Sequence, residues 1–321
     1  MNLTPPRRIA LSYMQDRNRS GDSRAARRNR IIGAILGGAI GDCLGGPYEG
    51  KSAPDTLNQR GHRRISDDTI LTLATCESII ERGSADPAAI ADKLGFLYRS
   101  GSLEGVGAAT LKAASELARG GHWALVGRKG AMAAGNGAAM RIAPVAFCLD
   151  PRDRNQRRTI RDICRITHHN EEAYTGALAI AISIRSGWDG SWPGQGNRLF
   201  DILLEHLPDT SVRDRIAEIA GIGDDLPIAA IGKRFGSSGY VVESVPLAIL
   251  GASQVAELGF IRVLEELVMC GGDTDTIASM AGQIMGCAVS RAGIPPEQAA
   301  QLPSYDHLVE VASKFAEVVI G

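Results

Sequence analysis

The segment that most restricts how this chain can fold is an apolar run that begins at Ile31. It reads IIGAILGGAIGD over residues 31–42, and its glycines and alanines stand three and four positions apart. Residues at that spacing lie on one face of an α-helix, and a face built from small residues lets a second helix approach closely. The run therefore predicts a helix that packs tightly against another helix.

Helical periodicity continues along nearly all of the remaining chain. Ser66 is a typical N-cap for a helix that reaches Ile80 and stops at Gly83. Further helices are predicted over residues 86–98, 107–118, 152–165, 171–186, 196–206, 210–220, 241–257, 260–269, 275–290 and 304–319. The apolar–polar alternation of strands is almost absent. We therefore expect an all-α protein with a single domain over residues 30–321.

The first part of the chain differs from this domain in composition. Residues 1–30 contain eight arginines and two aspartates, with little apolar periodicity. Such a sequence is typical of a basic, solvated and flexible tail, which we place at residues 1–29. A partner-binding arm and a transit peptide are the alternatives, although Pro5, Pro6 and the two aspartates argue against an amphipathic presequence helix.

Charge and composition argue against several classes of partner. The 35 basic and 36 acidic side chains give a net charge of −1, so no overall field attracts nucleic acid or an anionic membrane. We find no apolar run of the roughly 18 residues that a membrane-spanning helix needs, and no secretory signal. The six cysteines are scattered without a C-x-x-C pair, which is typical of reduced thiols in a cytoplasmic protein.

Two short acidic motifs give the strongest indication of chemistry. They are SDDT at residues 66–69 and GGDTDT at residues 271–276, and each lies where a helix is predicted to begin. A helix N-terminus favours one acidic side chain but does not need two acids together with hydroxyl residues. SDDT alone is usually an N-cap, whereas GGDTDT is less common by chance because two glycines precede the two acids. Brought together, four carboxylates repel one another and raise each other's pKa values. A hard divalent cation relieves that repulsion, and oxygen ligands select Mg²⁺, Mn²⁺ or Ca²⁺.

Six segments occur together in one order. They are GAILGGAIGDCLG (33–45) followed by Glu49, SDDT (66–69), GNGAAMR (135–141), THHN (167–170), SSGYV (237–241) and GGDTDTIASMAG (271–282). On these segments the chain resembles the ADP-ribosylglycohydrolase family, whose members include the dinitrogenase reductase-activating glycohydrolase. The resemblance covers about residues 33–290, and it implies a compact all-α bundle of orthogonal helices with a binuclear Mg²⁺ or Mn²⁺ centre.

The resemblance also implies roles for individual residues. The implied metal ligands are Ser66, Asp67, Asp68, Asp273, Asp275 and Thr276. The implied substrate-binding residues are Gly135, Asn136, Gly137, His168 and Tyr240, and the backbone NH groups of the glycine turn would meet the diphosphate. The implied catalytic carboxylates are Asp68, Glu49 and Glu104. Glu49 would be either a metal ligand or part of a mobile substrate gate.

From the residues alone, several of these positions have ordinary structural explanations. Residues 135–137 make a good turn, a pair of histidines is more often structural than functional, and Tyr240 is by default a half-buried aromatic residue. Asp42 is expected to be a hydrogen-bonding partner inside the fold, and Asn170 is expected to cap a helix.

The sequence departs from the family pattern in three places. Ser66 stands where the family usually has threonine, but it keeps the hydroxyl ligand. Residues 105–110, GVGAAT, lack an acidic residue that many members carry, and the adjacent Glu104 is its expected substitute in proton transfer. The segment after Glu49 is short and basic, which predicts a gate of different shape. Its basic residues are Lys51, Arg60, Arg63 and Arg64.

The reaction that the resemblance implies is hydrolysis of the N- or O-glycosidic bond at C1 of the distal ribose of ADP-ribose. ADP-ribosyl-arginine on a protein is the favoured substrate, followed by the serine linkage and by O-acetyl-ADP-ribose. Two other hypotheses stay open. One is a catalytically silent relative that binds ADP-ribose or has a structural role. The other is an immunity protein whose basic tail blocks an ADP-ribosylating toxin while the domain reverses the modification.

Overall fold

The computed structural model describes residues 23–57, 64–192, 198–222 and 226–321. Within those residues the chain forms sixteen α-helices, and two short strands pair in parallel. The helices are α1 (Arg24–Gly45), α2 (Asp67–Arg82), α3 (Pro87–Arg99), α4 (Ala108–Ala118), α5 (Ala143–Cys148), α6 (Arg157–Arg165), α7 (Glu171–Trp188), α8 (Arg198–His206), α9 (Ser211–Ile222), α10 (Ile228–Phe235), α11 (Val241–Ser253), α12 (Val255–Leu258), α13 (Phe260–Val268), α14 (Thr274–Val289), α15 (Pro296–Ala299) and α16 (Tyr305–Ile320). The strands are β1 (Arg128–Lys129) and β2 (His168–His169). The all-α prediction is confirmed.

The predicted close approach of two helices is made by α1 and α14, which run antiparallel through the core. A Cβ on Gly37 would lie 2.2 Å from the carbonyl oxygen of Gly282, and a Cβ on Gly33 would lie 2.2 Å from that of Gly286. Near the end of α1, a Cβ on Gly41 would lie 2.0 Å from Ala278 O. Real Cβ atoms essentially never come so close, so the two backbones are in direct contact along this face.

The first helix begins earlier than predicted. Helix α1 starts at Arg24 rather than at Arg30, because Ser23 caps it by accepting a hydrogen bond from the Ala26 backbone NH at 3.3 Å. The last part of the predicted tail is therefore helical, while residues 1–22 lie outside the described residues. The remaining predicted windows agree with the observed helices to within a few residues.

Four short helices were not predicted as separate elements. Helices α5, α10 and α15 have six, eight and four residues, which is too short for an apolar period of 3.6 residues to become visible. Helix α12 lies inside the single window predicted over residues 241–257. The backbone turns at Gln254, which is the C-cap of α11 and the N-cap of α12, and this turn divides the predicted window into two helices.

The prediction that no segment is long and apolar enough to span a membrane was wrong. One helix among the described residues, Arg24–Tyr48, is long and apolar enough for a span, and 78% of its most apolar window is buried inside the protein. Buried core helices of soluble proteins have the same composition. The contact with α14 accounts for the apolar character of this helix.

The six cysteines form no disulfides, and four of them are buried. This agrees with the predicted absence of a disulfide framework.

The contact between α1 and α14 also matters for the site, because it brings the end of α1 beside the start of α14. Thr274 Oγ1 donates a hydrogen bond to the Gly45 carbonyl at 2.8 Å.

Candidate active site

The two acidic motifs meet where helices α2 and α14 begin. Thr276 Oγ1 donates a hydrogen bond to Asp68 Oδ2 at 3.0 Å, across 208 positions of sequence. Asp68 lies in the first turn of α2, and Asp275 lies in the first turn of α14. The convergence of the two motifs, on which the predicted metal site depends, is therefore confirmed.

The first motif is held in shape by its own cap and by α1. Ser66 Oγ accepts a hydrogen bond from the Asp68 backbone NH at 3.2 Å and donates one to Asp68 Oδ2 at 3.2 Å. The carboxylate of Asp42, near the end of α1, accepts hydrogen bonds from the backbone NH groups of Ser66 and Thr69 and from the Thr69 hydroxyl. Asp42 is thus the structural partner that the sequence predicted.

The backbone conformation of the second motif requires its two consecutive glycines. Gly271 and Gly272 have φ values of 69° and 79°, a region that residues with a side chain rarely adopt. A Cβ on Gly272 would also lie 2.2 Å from the Ser237 carbonyl oxygen. The glycines therefore bend the chain into α14, and Asp273 NH donates to Ser237 O at 2.8 Å.

Glu49 joins the second motif in a tight group of carboxylates. One oxygen each from Glu49, Asp273 and Asp275 lies within 4.8 Å of the others. The segment that carries Glu49 is bonded to the motif, because Gly50 NH donates to Gly272 O at 2.8 Å and Gly272 NH donates to Lys51 O at 2.8 Å. Glu49 is exposed while Asp275 is buried, so Glu49 marks the solvent side of the group.

Burial raises the pKa of every carboxyl group gathered here, which we call the acidic cluster. Its members are Asp42, Glu49, Asp67, Asp68, Asp273 and Asp275. Burial, followed by repulsion from neighbouring carboxylates, raises the pKa of Asp67 to about 7 and that of Asp275 to about 8. Within the described residues, no lysine, arginine or histidine forms an ion pair with any member.

The acidic cluster fits hard divalent cations. Asp68 Oδ1 is buried and has no hydrogen-bond partner among the residues that the structure describes, which is costly for a carboxylate oxygen unless a cation contacts it. The donors are carboxylate and hydroxyl oxygens, the ligands that Mg²⁺ and Mn²⁺ prefer. All the residues implied as ligands belong to the cluster or hydrogen-bond with it. They are Ser66, Asp67, Asp68, Asp273, Asp275 and Thr276.

The glycine turn at residues 135–137 lies beside the acidic cluster, and its central residue is already bonded within the protein. Asn136 Nδ2 donates to Asp273 Oδ2 at 2.6 Å and to Ser244 Oγ at 3.2 Å. The Asn136 backbone NH donates to Gly239 O at 3.1 Å. The expectation that the NH groups of this turn meet a diphosphate therefore does not hold for Asn136, whose contacts instead fix Asp273.

His168 lies on the other side of the same turn. A Cβ on Gly135 would lie 3.2 Å from His168 Nε2, and a Cβ on Gly137 would lie 2.9 Å from His168 Cε1. The ring therefore occupies the space that side chains at these positions would need. Burial, followed by the positive charges of Arg141 and Arg128, lowers the pKa of His168 to about 3, so the imidazole is neutral.

Tyr240 and Glu104 lie at the edge of this arrangement. Tyr240 is 43% exposed and pairs with Gly135 in an antiparallel bridge, which places it next to the glycine turn. The Glu104 side chain is 85% exposed and lies 4.0 Å from Arg64. In the described ranges no hydrogen bond or ion pair joins Glu104 to the acidic cluster, so its role as a substitute acid stays a prediction. Arg60 and Arg63 lie outside the described residues.

Sequence reasoning missed the contacts that position the predicted residues. Ser244 Oγ accepts from Asn136 Nδ2 and donates to Tyr240 O at 3.2 Å. The available signal was that Ser244 follows Tyr240 by four positions at the start of a predicted helix, a spacing at which helical residues are neighbours. Arg141 donates to Thr167 Oγ1 at 2.9 Å, and no local pattern links these two positions. Asn170 caps α7 as predicted, accepting from Ala173 NH at 3.1 Å.

Comparison with known proteins finds relatives that match nearly the entire chain. A family model described as ADP-ribosylglycohydrolase matches residues 23–320. An uncharacterised protein of Archaeoglobus fulgidus is 30% identical over 302 residues, which cover 88% of this chain and 95% of that protein. ADP-ribosylhydrolase ARH3 of Gallus gallus is 24% identical over 352 residues, which cover 90% of this chain and 93% of that enzyme.

A solved structure of an ADP-ribosylglycohydrolase-related protein complex has the same fold. Its TM-score is 0.73 at 23% sequence identity, and the match covers 92% of this chain and 99% of that chain. Such a likeness supports the arrangement of helices rather than a particular activity. Because the family model spans nearly the entire sequence, this chain belongs to the ADP-ribosylglycohydrolase family.

Proposed function

We propose that this protein is a metal-dependent hydrolase that removes ADP-ribose from modified protein side chains, with arginine as the preferred linkage. The observation that carries the proposal is the acidic cluster, which has no basic counter-ion among the described residues and contains an unpartnered Asp68 oxygen. Family membership supports the same reaction class. The relative from Gallus gallus is itself called an ADP-ribosylhydrolase.

The cation site would use both acidic motifs. Asp67, Asp68 and Ser66 would approach from the start of α2, and Asp273, Asp275 and Thr276 from the start of α14. Two Mg²⁺ or Mn²⁺ ions bound there would supply Lewis-acid polarisation of the ribose hydroxyls. The protein's contribution is to hold the oxygen ligands in place before substrate arrives, through Asp42 on one side and Asn136 on the other.

Proton transfer would fall to carboxylates of the same cluster. Asp68 is buried inside the cluster, and burial is the main cause that raises its pKa in the absence of a cation. Glu49 lies on the solvent side, where it can reach a leaving group or a water molecule. A carboxylate in either position is able to protonate the leaving group or to deprotonate water.

The remaining substrate contacts would come from residues beside the cluster. The neutral His168 imidazole would donate a hydrogen bond to a ribose or diphosphate oxygen, and Tyr240 would border the adenosine end. The turn at residues 135–137 separates His168 from Asp273. A nucleotide lying along this turn would therefore reach the acidic cluster with its distal ribose.

The charge of the site favours arginine over serine as the linkage. A guanidinium leaving group is a cation, and the exposed Glu49 carboxylate lies on the route by which it would leave. Burial, followed by repulsion from the Asp273 carboxylate, raises the pKa of Glu49, so the site has negative potential before cations bind. A serine hydroxyl is neutral and gains nothing comparable from that potential.

The test is a mass-spectrometric assay of ADP-ribose release from arginine- and serine-modified peptides, with Mg²⁺, with Mn²⁺ and with EDTA. We expect metal-dependent release, faster from the arginine peptide, and a loss of at least a hundredfold in Asp67→Asn and Asp275→Asn. Asp209→Asn is the matched control, because the Asp209 side chain is 97% exposed. Full activity in EDTA or in both cluster variants would refute the metal-dependent mechanism, and faster serine release would reverse the linkage.

A further inference from the structure

A buried arginine close to the candidate site lacks a carboxylate partner. Arg141 is only 3% exposed, and among the described residues it forms no ion pair. Its Nε has no hydrogen-bond partner there either. A buried, unpaired guanidinium is expensive for the folded state. Such a group therefore calls for an explanation beyond packing.

The surroundings of Arg141 are mostly apolar. It borders a cavity of about 10 Å³, lined by Leu71, Ala74, Thr75, Ile90, Leu94 and Arg141 itself. A cavity of that size has room for about one water molecule, which could satisfy Nε but could not neutralise the charge. The directed contact that Arg141 makes is the hydrogen bond from Nη2 to Thr167 Oγ1 at 2.9 Å.

That hydrogen bond holds the Thr167 hydroxyl in place. Oγ1 accepts from Arg141 on one lone pair, and its single proton remains to be donated. Two acceptors are in range: His168 Nδ1 at 2.7 Å and Cys164 O at 3.5 Å. The shorter contact is a normal O–H···N hydrogen bond, while the longer one is at the limit of the interaction. Nδ1 of His168 is therefore the acceptor.

A neutral imidazole that accepts at Nδ1 carries its proton on Nε2. The Nε2 atom faces the glycine turn, 3.2 Å from where a Cβ on Gly135 would lie. The opposite tautomer would leave the Thr167 hydroxyl proton with only the contact to Cys164 O at 3.5 Å, in place of the 2.7 Å contact to Nδ1. Oγ1 would then accept from both Arg141 and Nδ1, using both of its lone pairs. The poorer contact of the hydroxyl proton disfavours this tautomer.

We infer that Arg141 and Thr167 are positioning residues that fix His168 in the tautomer with its proton on Nε2, so that it presents a hydrogen-bond donor at the glycine turn. This inference rests on the proposed function for the identity of the acceptor, an oxygen of a phosphate or a sugar hydroxyl. Burial and, after it, the positive charge of Arg141 also oppose protonation of His168. His168 therefore acts as a donor that orients substrate, and not as a general acid or base.

The tautomer can be measured directly, without any enzymatic assay. Long-range proton–nitrogen NMR spectra of imidazole-labelled, Mg²⁺-loaded full-length protein distinguish a protonated Nε2 from a protonated Nδ1. His169 serves as an internal control, since its Nε2 lies 2.7 Å from the Val126 carbonyl and must donate to it. We expect wild-type His168 to be protonated at Nε2, and Thr167→Val to convert it to a mixture of tautomers while His169 stays unchanged.

Thr167→Ser, which keeps the hydroxyl, is expected to restore the single tautomer. In the peptide assay, Thr167→Val is expected to raise KM on the order of tenfold with little change in kcat, the effect of one misdirected hydrogen bond. A His168 protonated at Nδ1 in the wild type, or an unchanged tautomer in Thr167→Val, would overturn the inference. The wild-type spectrum decides even if the valine variant does not fold. An inactive protein with the expected spectrum would instead count against the proposed function alone.

Discussion

Adding one methyl group at the contact between α1 and α14 is expected to disturb both the core and the candidate site. In Gly37→Ala the new Cβ would lie 2.2 Å from the Gly282 carbonyl oxygen. That is about 1.2 Å short of the 3.4 Å at which ordinary contact begins. The obstructing atom belongs to a helix backbone, so no side-chain rotation relieves the clash. The helices have to separate or tilt.

The size of the effect follows from two opposing contributions. Overpacking a well-filled core costs about 1–3 kcal/mol, while alanine is better than glycine inside a helix by about 1 kcal/mol. We expect the free energy of unfolding of Gly37→Ala to fall by up to about 2 kcal/mol. Because α14 begins at the second acidic motif, its displacement should also weaken Mg²⁺ binding by roughly tenfold.

Urea denaturation and Mg²⁺ titration calorimetry measure these two effects. The matched control is Gly221→Ala, since Gly221 lies in helix α9 and a Cβ there meets none of the described residues within 4 Å. That variant should be unchanged or more stable by up to about 1 kcal/mol. If Gly37→Ala were as stable as Gly221→Ala and bound Mg²⁺ like the wild type, the direct backbone contact and its coupling to the site would both be refuted.

Three further predictions concern the acidic cluster. The folded-state pKa values of Asp67 and Asp275, about 7 and about 8, lie above the value of about 3.9 in an unfolded chain. Stability of the EDTA-treated protein should therefore be greatest below pH ~4 and be lost as the pH rises through 7 and 8, lowering the melting temperature by roughly 5 °C between pH 5 and pH 8. Mg²⁺ should abolish that loss, and a flat profile without metal would contradict the burial of these acids. Asp42→Ala should reduce the free energy of unfolding by about 2–4 kcal/mol in urea titrations, because three donors at the start of α2 lose their acceptor. Asn136→Ala should weaken Mg²⁺ binding by about tenfold to a hundredfold in calorimetry, through loss of the hydrogen bond to Asp273, and an unchanged affinity would exclude that supporting role.

The parts of the molecule that the sequence predicted are those set by short-range patterns. The glycine spacing around Gly37 predicted a helix face of close approach, and both acidic motifs were located at helix starts. The partner of that face was not specified, because several other helices also carry small residues. It is Gly282, at the matching register of α14, that makes the pairing unique.

The contacts that tune the site were beyond sequence reasoning because they join distant positions. Asn136 and Asp273 are 137 positions apart, and Arg141 and Thr167 are 26 apart. Nothing in either local sequence marks one as the partner of the other. Side-chain exposure could not be predicted from the sequence either. Glu104 is adjacent in sequence to the expected catalytic position, but its side chain extends into solvent beside Arg64.

The charge of the acidic cluster argues for two cations rather than one. Six carboxylates converge, and the N-termini of α2 and α14 each offset about half a charge. One divalent cation would still leave a net charge of about −3, while two would leave about −1, a balance that a partly buried site can tolerate. Titration calorimetry with Mg²⁺ should therefore find two sites per chain, the second lost in Asp67→Asn. A single site in the wild type would mean that some of these carboxyl groups stay protonated, as the raised pKa values of Asp67 and Asp275 allow.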